Sequence, residues 1–467
     1  MYKRYYFNFG RVDKDYLLTN EFGYNTFLSE KNFNKLINGE NLPGKILKEL
    51  EFKKFVYFES DKDFIKFNYD KLAEYKSYLK DSTSLHIFVV SKNCNYNCIY
   101  CQAGNLNNNR DCLMSEDIAK KAVDIAFDTP SKDVSFEFQG GEPLTNFEII
   151  KYIVDYSKEK NSFLSETDKK YITYNIVSNL SLLTDDMMSF VKNNDIYICT
   201  SIDGNKELQN TNRPYASGDS YESTVHNFKK LQEQQVNVSA LLTTTKFSLN
   251  QYKSIVDEYV KLNMDRICIR PLTNVCKANN NWDRIGYLPE EFIKFYKLAL
   301  DYIIKINRKG YRLVEGMASI FLTKILNNDS INYMELRSPC GASIGQMAYY
   351  YDGNVFTCDE GRMLYEMGDD KFLIGNVTKN TRLDIITNSK VKDICRASCL
   401  ECSHICHSCV YMPYCGTCPV INYSVTKQLS PYSTNEYRCK INKGILDILF
   451  DYIKNDKKAL KVFYTWI

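Results

Sequence analysis

The sequence predicts an α/β protein: a partial (β/α)6 TIM-like barrel with a small N-terminal α/β module before it and a C-terminal Cys-rich extension after it. Three observations lead there. Between residues 85 and 271, short β-branched or aromatic runs alternate with longer amphipathic stretches, the pattern of βα units around a parallel sheet. There are six such units, short of the eight that close a full barrel. Residues 340–439 then leave that pattern and are dominated by cysteine.

In chain order, Arg4–Phe9 and Asp15–Thr19 read as strands and Glu30–Ile37 and Lys45–Phe52 as helices, so residues 1–80 are expected to form a separate module. The core, residues 81–275, has strands expected at Leu85–Ser91, Asp133–Gln139, Tyr171–Ser178, Asp195–Ser201, Asn237–Thr244 and Arg266–Pro271. Ser115–Phe127 and Gln251–Leu262 have the length and apolar spacing of crossover helices, with Ser115 as an N-cap. A helical linker, 276–339, contains the long amphipathic stretch Pro289–Lys309. The Cys-rich segment spans 340–439, and residues 440–467 close the chain with a helix over Lys440–Asn455.

Composition narrows the function classes. Lys plus Arg number 60 against 57 for Asp plus Glu, so bulk charge advertises neither nucleic acid nor an anionic membrane as a partner. No run of about 18 apolar residues occurs, and Met1–Tyr6 does not lead into a signal-peptide core, so a cytoplasmic location is expected. Seventeen cysteines in a reducing compartment, an odd number, favour ligation over a disulfide framework. With only His86, His226, His404 and His407 available, thiolates must carry the site.

Cys94, Cys98 and Cys101 form C-x3-C-x2-C directly after the first core strand. Three thiolates on one loop can hold three irons of a [4Fe–4S] cube and leave the fourth open to a small molecule. A structural zinc site would want a fourth protein ligand, for which Cys112 is the nearest thiol. With Tyr100 before its last cysteine, the motif resembles that of the radical S-adenosylmethionine (radical SAM) superfamily. The resemblance implies that S-adenosylmethionine chelates the open iron and is cleaved reductively to a 5′-deoxyadenosyl radical. Gln139-Gly140-Gly141-Glu142-Pro143 matches the family's GGEP segment, which meets the methionyl amino group, and the paired glycines read as allowing close approach of backbone to ligand. Asn179, Ser201 and Asp203 follow the third and fourth strands, where ribose and carboxylate contacts fall in relatives. Arg213 lies in the next loop, where a cation can meet the cofactor carboxylate. Taken singly, each of these four reads equally well as a satisfied loop polar group.

Cys340-x12-Gly353-x4-Cys358, then Cys406-x2-Cys409-x5-Cys415-x2-Cys418 and a distant Cys439, resemble the SPASM extension of peptide-modifying radical enzymes. The resemblance implies two auxiliary clusters, one on Cys340, Cys358 and Cys418 and one on Cys406, Cys409, Cys415 and Cys439, hence three [4Fe–4S] clusters in all. The family usually places three residues between the last two cysteines of the quartet, where this chain has only Gly416-Thr417. The first auxiliary set lacks a fourth ligand; Cys395, Cys399 or Cys402 could supply it, or an iron could stay open to a substrate thiolate. A zinc ribbon is the competing reading of the C-x2-C pairs. Cys199 and Cys268, inside expected strands, read as buried small hydrophobes, and Cys276 has no assignment.

The phrases Arg4–Phe9, Tyr16–Gly23, Glu137–Pro143 and Asp219–Thr224 look most like the maturase of His-Xaa-Ser peptide systems. That resemblance implies a ribosomally made precursor peptide with a leader as substrate, thioether or carbon–carbon link formation, and an electron donor such as flavodoxin or ferredoxin. Residues 1–80 would then bind the leader by strand addition, or serve only as a cap on the barrel. Asp359, directly after Cys358, stands where the related sulfatase-maturing enzymes carry an acidic base, and otherwise reads as a solvated loop carboxylate. Two alternatives are a formylglycine-forming sulfatase maturase and, in another class, a non-catalytic iron–sulfur redox sensor. A sensor would have no use for the GGEP segment and the polar strand ends.

Overall fold

A computed structural model of the chain describes residues 2–58, 64–103, 112–329, 331–431 and 436–467, with the side chains of 64–67 left aside. Residues 59–63 of the expected N-terminal module, 330 of the linker and 432–435 of the Cys-rich segment therefore lie outside the described residues.

The N-terminal segment runs β1 (Tyr2–Arg4), β2 (Asn8–Val12), β3 (Asp15–Thr19), β4 (Asn25–Ser29), α1 (Glu30–Asn38), α2 (Gly44–Phe52) and β5 (Val56–Phe58), followed by α3 (Phe64–Tyr75). Strands β2, β3 and β4 form an antiparallel sheet, and β1 pairs with β5. Alternation along β3 explains how this sheet is used. Leu18 joins Phe33, Leu36 and Leu50 beneath the module's own helices, whereas Leu17, with Val12, enters the main core of the molecule. Thr19 Oγ1 donates to Val410 O at 2.7 Å, Tyr75 to Pro413 O at 2.9 Å and Tyr78 to Ser338 O at 2.8 Å. The segment expected to stand apart is thus fused to the Cys-rich region by apolar burial and by polar contacts.

The six βα units appear as β6 (Leu85–Ser91), α4 (Glu116–Phe127), β7 (Asp133–Gly140), α5 (Phe147–Ser162), β8 (Tyr171–Val177), α6 (Asp185–Asn193), β9 (Tyr197–Ser201), α7 (Lys206–Asn212), α8 (Ser220–Glu233), β10 (Val238–Thr243) and α9 (Tyr252–Lys261), ending in β11 (Arg266–Ile267) and β12 (Ile269–Arg270). Local chemistry sets the helix starts. Ser115 Oγ accepts from Ile118 N at 3.3 Å, with Glu116 and Asp117 on the positive end of the helix, and Thr184 and Asp219 cap α6 and α8 in the same way. Every β6 residue after Leu85 is buried, as a parallel strand covered on both faces requires.

The sheet does not close. Its order is β12-β10-β9-β8-β7-β6-β14-β15-β16, where β14 (Gln346–Tyr349), β15 (Asn354–Phe356) and β16 (Leu373–Asn376) come from the Cys-rich segment. β14 runs parallel to β6, with Gln346 opposite Leu85 and Tyr349 opposite Phe88, and β15 and β16 then turn back antiparallel. Aromatic packing continues across that seam: Phe88 meets Phe136 at 4.9 Å and Tyr349 at 5.2 Å between ring centroids. The expected strand Arg266–Pro271 is split at Cys268, because β11 turns to pair with β13 (Val314–Glu315) while β12 stays on β10. No helix among the described residues is long and apolar enough to cross a membrane.

Candidate cofactor and cluster sites

A cavity of about 690 Å³ opens at the C-terminal ends of the barrel strands. Cys94, Cys98, Tyr100 and Cys101 line it together with Gln139, Gly140, Gly141, Glu142, Asn179, Ser201, Arg213 and Asp359. Of the residues singled out for the cofactor, Asp203 alone lies off this wall. It is fully buried behind Tyr100, whose hydroxyl donates to Asp203 Oδ2 at 2.7 Å and accepts from Arg213 Nη1 at 2.8 Å. Asn212 Nδ2 and Thr243 N also donate to the Asp203 carboxylate, at 3.1 and 3.2 Å. Burial nevertheless pushes the Asp203 carboxyl above its usual range, Arg213 opposing the shift.

The glycine pair has a physical reason within the protein itself. A Cβ on Gly140 would lie 2.2 Å from Ser91 O, and one on Gly141 would lie 2.5 Å from Asn93 O. Both glycines thus approach the backbone of Ser91 and of the cysteine loop closely, and both also line the cavity. Gly141 N and Glu142 N donate to Ser91 O and Asn93 O at 2.8 and 2.7 Å, clamping the loop to the end of β7. The Glu142 carboxylate faces the next strand end, accepting from Ser178 Oγ, Asn179 N and Leu144 N at 2.7, 2.7 and 3.1 Å.

The cysteine loop is built to hold a charged group. Burial raises the Cys94 and Cys98 thiols, the latter to about 11, so a metal is needed to draw their protons off. Tyr96 N donates to Cys94 Sγ at 3.4 Å. Beside the thiols, Arg213 Nε is buried and finds no partner among the described residues, leaving a donor for an incoming anion. Among the described residues, no three or more Cys, His, Asp or Glu side chains converge as the ligands of one metal ion do. Cube-held thiolates each address a different iron and need no such convergence.

Cys340, Cys358 and Cys418 are buried in one apolar cluster with Val275, Met363 and Phe372. Gly361 N donates to Cys358 Sγ at 3.4 Å, since Cys358 caps the helix Asp359–Tyr365. Burial pushes up all three thiols, and each lies within the field of the Glu360 carboxylate on the cavity wall. Cys406, Cys409, Cys415 and Cys439 surround a separate small cavity with Arg438 and Lys443. Of the spare thiols, Cys399 and Cys402 face each other. Cys399 Sγ contacts Cys402 Sγ and Glu401 Oε2, each at 3.4 Å, and Ser398 Oγ and Ser338 Oγ occupy the contacts between this turn and the Cys340 segment. Cys199 and Cys268 are half-buried rather than core hydrophobes, with Glu137 and Arg270 close to Cys199. Cys276 is buried, donating its thiol to Met363 O at 3.1 Å from a backbone with φ of 50°.

Sequence reasoning missed a set of charged groups on the cavity wall. Asp359 is paired with the buried Arg362, whose Nη2 and Nε reach its Oδ1 at 2.5 and 3.1 Å. Arg270 and Arg438 both bind Glu335, at 2.8 and 2.6 Å. Burial raises the Glu335 carboxyl, but the two guanidinium groups outweigh it and hold the group at about 2. Glu137 accepts from Gln139 Nε2 at 2.5 Å, and burial pushes its carboxyl up. A signal for Glu137 existed: it stands two residues before Gln139, hence on the same strand face. No local pattern marks Glu335 or Arg438.

Residues 88–269, which carry the cysteine loop and the cavity's strand ends, match the radical SAM superfamily. This is a radical SAM domain. The chain is 25% identical over 394 residues to the cysteine-type anaerobic sulfatase-maturating enzyme of Clostridium perfringens, covering 81% of this chain and 99% of that one. In three dimensions it is similar to native anSMEcpe with bound AdoMet, with a TM-score of 0.66 at 19% identity over 82% of this chain and 99% of that one. It is similar also to Streptococcus suis SuiB bound to precursor peptide SuiA, with a TM-score of 0.56 at 16% identity over 94% of this chain and 100% of that one. The radical SAM domain implies a [4Fe–4S] cluster and S-adenosylmethionine, and the thiol loop and the orphaned Arg213 donor fit both. The Cys-rich segment that follows continues the barrel sheet with its first strand, β14.

Proposed function

We propose that this radical SAM enzyme modifies a ribosomally synthesised precursor peptide, forming a thioether or carbon–carbon link. The observation that carries the reading is the N-terminal sheet β2-β3-β4 seated on the Cys-rich loop, with β2 and β4 each paired on one side only among the described residues. An edge strand offers main-chain donors and acceptors to an extended leader. The wider coverage by SuiB, which was solved with its precursor peptide, supports this reading: 94% of this chain against 82% for anSMEcpe. Placement beside the His-Xaa-Ser maturases rests on the sequence phrases at Arg4–Phe9 and Tyr16–Gly23.

In this reading Cys94, Cys98 and Cys101 hold the cluster that binds S-adenosylmethionine, which when bound supplies the 5′-deoxyadenosyl radical for hydrogen abstraction. Gly141 and Glu142 hold the thiol loop in place, Arg213 meets the cofactor carboxylate with its free Nε, and Tyr100 and Asp203 fix that guanidinium. Asn179 and Ser201 stand on the same wall for ribose contact. Asp359, oriented by Arg362, accepts the proton released as the substrate is oxidised. Cys340, Cys358 and Cys418 hold one auxiliary cluster and Cys406, Cys409, Cys415 and Cys439 a second, with flavodoxin or ferredoxin as the outside electron donor. The cavity, lined by residues of the barrel and of the Cys-rich segment, speaks for catalysis and against a bare redox sensor.

A second reading, formylglycine formation on a sulfatase, is favoured by the 25% identity across 99% of the sulfatase-maturating enzyme. One experiment separates the two. Anaerobically reconstituted protein is given S-adenosylmethionine with a short peptide encoded beside its gene, or with a Cys-containing sulfatase-motif peptide. Mass spectrometry should find loss of two hydrogens in the first and no aldehyde in the second; the reverse result overturns the peptide-crosslinking reading. Replacing Cys94, Cys98 and Cys101 by Ala should abolish 5′-deoxyadenosine formation and leave the auxiliary iron in place.

A further inference from the structure

One side chain lines both the central cavity and the cavity of the second auxiliary set. Arg438 lines the cavity at the barrel mouth and also the small cavity ringed by Cys406, Cys409, Cys415 and Cys439. It precedes Cys439 in sequence and lies within the field of Cys418, a cysteine of the other set. Its Nη2 donates to Glu335 Oε2 at 2.6 Å, and the second oxygen of the same carboxylate binds Arg270 Nη2 at 2.8 Å. Its Nε is buried and has no partner among the described residues.

Two guanidinium groups share one carboxylate, so the triad keeps a net charge of about +1 on the cavity wall. An unpaired buried N–H is costly unless something accepts from it. Besides Glu335, Arg438 lies within the fields of Cys418 and Glu360. Sulfur acceptors on a cluster would satisfy that donor.

We propose that Arg438 sets the reduction potential of the auxiliary iron–sulfur clusters, its charge held beside the Cys406–Cys439 set by Glu335 and Arg270. The inference rests on the assignment of those cysteines as cluster ligands. Adding an electron makes a cluster more negative, so a neighbouring cation and an N–H···S bond both favour the reduced form and raise the potential. Glu335 acts in the opposite sense. Its negative charge lowers the potential, and because it bridges Arg438 to Arg270 on the cavity wall, material filling the cavity touches the same charge triad that faces the clusters.

The test is a potentiometric titration of the anaerobically reconstituted full-length protein, followed by electron paramagnetic resonance, with iron content measured alongside. Arg438→Gln should move the auxiliary signals to lower potential and Glu335→Gln should move them to higher potential, each at the parent's iron content. Arg438→Lys should fall between Arg438→Gln and the parent, keeping the charge and losing Nε. If Arg438→Gln loses iron, the upward shift in Glu335→Gln decides the matter. Unchanged potentials, or shifts of the same sign in the Gln variants, overturn the role of Arg438 while the cluster assignment stands. A parent that binds only the iron of one cluster overturns the cluster assignment and this inference with it.

Discussion

The hydroxyl of Tyr100 donates to the buried carboxylate of Asp203 across 2.7 Å, joining the cysteine loop to the end of the fourth barrel strand. Tyr100→Phe removes that donor from a buried carboxylate and removes the acceptor of Arg213. A hydrogen bond to a charged group contributes about 1.5–3 kcal/mol, so denaturant unfolding should register a loss of that order. Affinity for S-adenosylmethionine should fall with it, because Arg213 loses its anchor. Unaltered stability with unaltered cofactor binding would mean the contact is incidental.

Gly141→Ala probes the clamp on the cysteine loop. Its Cβ would sit 2.5 Å from Asn93 O and 2.6 Å from Lys92 O, both main-chain atoms that cannot swing aside. Overpacking of this kind costs about 1–3 kcal/mol, and here the loop must move to relieve it. The variant should fold yet reconstitute with less iron at the Cys94–Cys101 loop, read by iron analysis in a background lacking the downstream cysteines.

Much of the barrel was legible because its signals are local. Strand runs such as Leu85–Ser91 and Asp133–Gln139, and the Ser115 cap, depend on neighbours within a few residues, and the structure places them within a residue or two of the expected bounds. The gathering of Tyr100, Gln139–Glu142, Asn179 and Ser201 on one wall follows from the rule that parallel strands present their C-terminal ends together. What could not be read were long-range pairings. β14 looks like an ordinary apolar run until it is set beside β6, and Glu335 gains its meaning only from two arginines, 65 and 103 residues away in sequence. The glycine pair was legible as a requirement for close approach, but the carbonyls it meets belong to a different segment.

Acid should loosen the seam between barrel and Cys-rich segment. His86 on β6 is fully buried against Tyr349 of β14, Nδ1 to hydroxyl 3.0 Å, and burial lowers its pKa from 6.5 to about 3. Between those values the unfolded chain binds a proton that the folded one does not. Stability therefore falls as pH drops from about 6.5 toward 3, by an amount on the order of a few kcal/mol. His86→Asn keeps an acceptor for Tyr349 and removes the titration, so its acid-unfolding midpoint should lie at lower pH than the parent's. A midpoint that does not move would show that other groups govern the acid transition.

Removing the N-terminal segment should cost more than leader affinity. Val12 and Leu17 belong to the main core, and Asn8 Nδ2 donates to His407 O and Cys409 O at 2.8 and 3.0 Å. A chain beginning at Asp81 should aggregate or lose iron from the Cys406–Cys439 quartet. Asn8→Ala is the milder test: it takes this donor from the Cys409 carbonyl and leaves His407 O with Tyr6 alone, which costs about 1–3 kcal/mol, and a chelator should strip iron from the quartet faster than in the parent. A soluble truncation with full iron content would show that the packing is dispensable.

Because β14 pairs with β6, the molecule cannot finish its central sheet in the order in which it is made. Gln346 leaves the ribosome 261 residues after its partner Leu85 (346 − 85), which at about 5–20 residues per second is a delay of roughly 13–52 s. For that interval the nascent barrel presents one unpaired edge, the apolar face of Ile87 and Val89 that later meets Ala348 and Phe356. Such an edge is a template for mispairing between neighbouring chains on one message. Slow translation or scarce chaperone should therefore depress the yield of this protein well before any fault in its iron chemistry could be felt.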